Sequence, residues 1–149
     1  MKTALYAYSP YLRFAGGGEK YFLGILAVLQ EDMNVILICD EPELPIIKKL
    51  SLQFEVDLSN ISIAARKIKS EENIQNIVPD HAVFFSVTNG RPLKIHCRKT
   101  ILHHQVVYKR LNETSMAERY PGHDMTSMNA EIHSRFLSQD KVFFPSNSK

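Results

Sequence analysis

The sequence predicts an α/β fold: a Rossmann-like, doubly wound, mostly parallel sheet of about six strands. Three observations carry this. Short apolar runs alternate along the chain with helical patterns. The runs hold few polar residues, as strands covered on both faces do. At 149 residues the chain suits a single core, so residues 1–149 are expected to form one domain.

The elements follow in order. Lys2–Tyr8 reads as the first strand. Glu19–Gln30 reads as a helix that is apolar nearly all round, through Tyr21, Phe22, Leu23, Ile25, Leu26, Val28 and Leu29, and so is expected to be packed on a sheet and covered again. Asn34–Cys39 is a short apolar strand. Asp40-Glu41-Pro42 opens the next helix, with Pro42 near its first turn, and the helix is expected to reach about Phe54. Ile61–Ala64 is a weaker third strand. Ser70–Ile77 fits a short helix opened by Ser70, with Glu71 and Glu72 in its positive first turn. Pro79-Asp80 breaks it, and His81–Val87 and Thr100–His104 read as the fourth and fifth strands. Asn129–Gln139 is expected to be a helix and Lys141–Phe144 a sixth strand. Val106–Met128 is too long for an ordinary connection and is expected to carry function or to move.

Composition narrows the class further. Cys39 and Cys97 lie far apart and form no CxxC pair; Cys39 ends an apolar run and reads as a reduced, buried thiol. Lys2 is followed by an alternating, Tyr-containing strand and not by a secretory h-region, and no apolar run approaches the roughly 20 residues of a membrane span. A cytoplasmic protein is expected. Net charge is +2, yet Arg91–Arg110 holds six Lys or Arg residues and no acid, so the rest of the chain carries the difference, −4. That asymmetry suggests an anionic partner on one side, or else a solvated loop with lysines at strand ends. Tyr108 is the one aromatic residue in this segment, which argues against a nucleic-acid stacking platform. His123, Asp124 and His133 match no zinc spacing, so no metal is expected, and the absence of a GxSxG elbow argues against a serine hydrolase.

The chemistry is expected at Gly16-Gly17-Gly18, between the first strand and the first helix. Ligands of open α/β sheets bind at the carboxyl ends of the strands, and a helix N-terminus presents unpaired N–H groups to an anion. A GxGxxG fingerprint starting at Gly16 and Gly18 would need glycine where Tyr21 stands, and a P-loop would need Lys where Glu19 follows Gly18. Asp40, at the end of the second strand, reads either as a helix cap or as a ribose-binding acid. A tight turn allowing close helix–sheet packing would explain the glycines without any ligand.

The start, KTALYAYSPYLRFAGGGEKYFLGILAVL, resembles the N-terminal domain of family 4 glycosyltransferases with the GT-B architecture. Two further stretches are similar to that family: KTILHHQVVY, like its strand ending in histidine beside the cleft, and LSQDKVFFPSNSK, like its closing D-x-V…NS strand. The resemblance implies a sugar transferase whose N-terminal half mainly holds the acceptor. Gly16, Gly17 and Gly18 would be the cleft-facing backbone, near the donor's phosphates and the transferred sugar. His103 or His104 would point towards that sugar or the acceptor; neighbours on a strand face opposite ways, so one of the two is expected to serve. Glu19 would open the helix as a first-turn acid.

The family's nucleotide-sugar site, with its paired glutamates in an E-x7-E motif, lies on a second, C-terminal domain, and no such motif occurs here. The UDP- or GDP-sugar donor is therefore expected only with that domain as partner, and the chain alone is expected to be inactive. The acceptor would be a saccharide or lipid-linked molecule. Arg13, Lys109 and Arg110 are candidates for a phosphate on it, with peripheral contact to an anionic membrane surface. Two rival readings remain: a non-catalytic nucleotide- or sugar-phosphate-binding module that recruits a partner subunit, and a small dehydrogenase-like domain using Asp40 on ribose.

Overall fold

Six strands pair in one parallel sheet: β1 (Ala4–Tyr8), β2 (Asn34–Asp40), β3 (Ser62–Arg66), β4 (Val83–Thr88), β5 (Lys99–His104) and β6 (Lys141–Phe143), in the order β3-β2-β1-β4-β5-β6. In this computed structural model the described residues are 2–88, 90–104, 131, 134, 135 and 137–143. The order is that of a Rossmann-type sheet. Central β4 shows why its run is nearly continuous in hydropathy: all six of its residues, VFFSVT, are buried.

Helices α1 (Gly17–Leu29) and α2 (Leu44–Gln53) cover one face of the sheet, and the short α3 (Glu71–Gln75) lies on the other. Right-handed crossovers require this, because the chain steps one way from β1 to β3 and then returns across the sheet to β4. On the first face Phe22, Leu23 and Leu26 pack with Ile47 and Leu50 against Leu5, Ala7, Leu37 and Phe85. The Phe22 and Phe85 rings stack with centroids 5.7 Å apart. On the second face Ile74 and Val78 meet Ile38 and Phe84.

The helix starts differ from expectation in instructive ways. Helix α1 begins at Gly17, two residues earlier than the apolar pattern suggests, because Glu19 reaches back to cap it. Pro42 lies in a separate 3-10 turn, Glu41–Glu43, and α2 begins only at Leu44. Asp40 caps that turn: its Oδ1 accepts the Glu41 N–H at 3.1 Å and also the Ile68 N–H at 3.0 Å, tying the end of β2 to the loop after β3. Helix α1 is not covered again among the described residues. Tyr21 and Val28 are 53% and 67% exposed and border a shallow apolar groove along its outer side.

The far end of α1 is anchored by Gln30, which is buried. Its Nε2 donates to the Ala27 and Asp57 carbonyls at 2.9 and 2.6 Å, and its Oε1 accepts the Asn60 N–H at 3.0 Å. Glu131, Ser134, Arg135 and Leu137 have helical backbone, as expected for their segment. Arg135 binds Glu71 at 2.5 Å and the Pro92 carbonyl at 3.0 Å, while Glu131 pairs with Arg91. This network clasps the segment to the loops beside β4.

Candidate functional site

Strand β1 has β2 on one side and β4 on the other, so the connections leaving β1 and β4 part at the carboxyl edge and open a crevice there. The loop from β1 to α1 forms one lip. It makes a 3-10 turn over Leu12–Phe14, and Ala15 adopts a left-handed backbone (φ 50°), an uncommon state for a residue with a Cβ. The strain of the turn therefore falls on Ala15 and not on the glycines that follow.

Gly16 precedes α1 in an extended conformation and its N–H donates to Glu19 Oε2 at 2.6 Å. A Cβ at Gly16 would lie 3.0 Å from that oxygen, so Gly16 leaves room for the cap. Gly17 has no such reason: a Cβ there would meet nothing within 4 Å, and the residue is exposed. Gly18, in the first turn, is half-buried. Glu19 itself is buried, its carboxylate held at the positive end of the helix.

The two histidines part company. Strand register sets His103 beside Val87, on the face covered by α1, and His104 beside Thr88, on the face of α3. Tyr21, one turn beyond Gly17 on the same side of α1, lays its ring against His103 with centroids 5.0 Å apart. The structure thus brings the glycine turn and His103 to one face and sends His104 to the other. Burial lowers the His103 pKa, which keeps its imidazole neutral near pH 7.

Arg13 is 60% exposed at the side chain, and its Nε lies 3.9 Å from Oε2 of buried Glu43. Glu43 Oε1 accepts the Asp40 N–H at 3.2 Å. Any anion meeting Arg13 would also meet this carboxylate. Lys109 and Arg110 lie outside the described residues, as do His123, Asp124 and His133.

Sequence reasoning missed the opposite side of the crevice. Between β1, β4 and the start of α3 lies a cleft of about 380 Å³. Tyr8 and Tyr11 stand on one wall, Ser86 and Thr88 on the floor, and Glu71 and Arg91 at the rim. A signal was present: Ser86 and Thr88 are the polar residues of an otherwise apolar strand, and a buried hydroxyl is costly unless it is hydrogen-bonded.

No family model matches the sequence, and no curated protein matches it. Among solved structures it is similar to a short-chain dehydrogenase/reductase of the wide type from Veillonella parvula, solved in complex with NADP. The TM-score is 0.48 at 10% identity, over 97% of this chain and 68% of that one. A likeness this distant carries no argument about activity.

Proposed function

We propose that the chain is the acceptor-side half of a GT-B-type glycosyltransferase, passing a sugar from a nucleotide-sugar bound mostly by a second domain to a saccharide or lipid-linked acceptor held here. The observation that carries this is Gly17. Neither a positive φ nor close packing within the described residues asks for glycine at that position, so the bare backbone serves something that approaches from outside. His103, on the same face, supplies a neutral imidazole that can hydrogen-bond a sugar hydroxyl. In this reading the exposed Gly17 backbone lets the transferred sugar approach the turn closely, and the imidazole fixes that sugar's orientation through one of its hydroxyls.

Glu19 weighs against the rivals. Its carboxylate already occupies the end of the helix where a dinucleotide's pyrophosphate or a sugar phosphate would sit, and like charges at that distance repel. Asp40 Oδ1 is committed to two backbone N–H groups, which supports the reading of Asp40 as a cap. The same carboxylate argues that the glycine turn meets the transferred sugar more closely than the donor's diphosphate.

The experiment is to read the coding sequence beyond Lys149 and its neighbouring reading frames for an α/β domain with the E-x7-E motif. The assembled enzyme is then assayed for UDP or GDP release from nucleotide-sugars. Gly17→Ala and His103→Ala are expected to lower kcat at least tenfold. Tight binding of NADPH in a fluorescence titration, with no such domain encoded nearby, would overturn the proposal.

A further inference from the structure

We infer that the cleft between Tyr8, Ser86 and Thr88 is a binding site for an uncharged polyhydroxylated ring, a neutral saccharide unit and not a phosphate-bearing one. As an assignment of the acceptor, it rests on the transferase reading; as a binding site, it stands on its own geometry.

Register places Tyr8 directly beside Ser86 across the β1–β4 boundary, at the point where the sheet's connections diverge. Its volume, about 380 Å³, lies within the range of small-molecule pockets. The Ser86 hydroxyl on the floor is buried, the residue being 1% exposed, and its Oγ has no hydrogen-bond partner. A buried hydroxyl left unmatched is costly, so it points to a polar group that arrives with a guest. Beside it, Thr88 Oγ1 accepts the Gly90 N–H at 3.0 Å and donates to the Arg91 carbonyl at 3.3 Å, holding the loop that forms the rim.

Charge decides the ligand class. The two charged residues at the rim are already spent on each other's neighbours: Glu71 on Arg135 and the Lys94 N–H, Arg91 on Glu131. Burial, reinforced by Glu43 and Asp40, raises the Tyr8 phenol to about 12, so it stays protonated and can donate to a hydroxyl. What this leaves for a guest is neutral, the Ser86 and Tyr8 hydroxyls, beside the ring faces of Tyr8 and Tyr11 on the lining. Such a surface suits a sugar, which offers hydroxyls at its edge and C–H groups on its face. Exposed Lys69 is the other cation on the lining, and the phosphate arm of the test below reads its effect.

The test is an amide chemical-shift titration of the 149-residue chain with methyl α-glucoside, methyl α-mannoside, maltose and, separately, inorganic phosphate. At least one glycoside is expected to shift the amides of Tyr8, Ser86 and Thr88, and phosphate is not. Ser86→Ala should raise the Kd for that glycoside about fivefold, the weight of one hydrogen bond, while the melting temperature holds or rises. A fall in melting temperature without a change in Kd would make Ser86 merely structural and overturn the inference. So would shifts caused by phosphate and not by glycosides. Glycoside shifts confined to Gly17–Tyr21 and His103 would overturn it too, yet leave the transferase reading standing. An absence of glycoside shifts anywhere would sink the inference, with the nucleotide-release assay deciding the transferase reading separately.

Discussion

Three adjacent glycines look equivalent in a sequence but are not equivalent in the fold. Gly16 is a tighter position than Gly17, since a methyl group there would stand 3.0 Å from the Glu19 carboxylate and crowd it against its N–H. Gly16→Ala is expected to cost up to about 1 kcal/mol, part of the usual weight of a helix cap. Gly17→Ala should be neutral or stabilise by up to about 1 kcal/mol, because it removes freedom from the unfolded chain and adds helix propensity. Urea denaturation of the two variants checks the pair. Equal destabilisation would mean that Gly17 also serves packing and would remove the main support for a guest at the glycine turn. The sequence points to this turn but cannot divide the roles, which depend on where the Glu19 side chain goes. Nor does local pattern say that Tyr21 covers His103, a contact between residues 82 positions apart.

At the level of elements, strand and helix identities were legible and their edges less so. Among the described residues, strands β1–β6 and helices α1–α3 lie where the alternation of apolar runs and helical patterns puts them. The misjudged edges have physical causes: side chains cap α1 and the 3-10 turn after β2, and such capping is invisible to hydropathy. One element is held on by charge. In the clasp around Arg135, burial alone would raise the Glu71 pKa, but the guanidinium and the Lys94 N–H outweigh it and hold the carboxyl below its usual value. Glu71→Gln is expected to destabilise the fold by about 1–3 kcal/mol, as loss of a charge-assisted bond does. Exposed Glu72→Gln, one residue on, should change stability by less than about 0.5 kcal/mol. Guanidinium denaturation of both variants makes the comparison; matching effects would show that the clasp carries no weight.

For the whole molecule, the class of fold was readable from composition and order, whereas the strand order was not. Pairings such as Tyr8 with Ser86 join distant parts of the chain and leave no trace in local pattern. The assembled sheet also sets a window of pH stability. His103 has its pKa lowered by burial from the ordinary 6.5, so below that value the unfolded chain takes up a proton that the folded one refuses, and stability falls with the pH. Cys39 and Tyr8 are raised by burial, then by Glu43 and Asp40, to about 11 and about 12 from ordinary values of 9.0 and 10.0. Above pH 9 the unfolded chain therefore loses protons first, and stability falls as the pH rises. A plateau in melting temperature between about pH 6.5 and 9 is expected. In His103→Gln its acid shoulder should extend lower; an unchanged shoulder would show that His103 titrates alike in both states.

Helix α1 is fastened at both tips, to its own first turn through Glu19 and to the approach to β3 through Gln30. A rod secured in this way transmits a push and does not bend to absorb it. Gln30, at the far end of the helix from Gly17, links it to the Asp57–Asn60 corner that leads into edge strand β3. An event at the mouth of the crevice would thus be mechanically audible at the margin of the sheet.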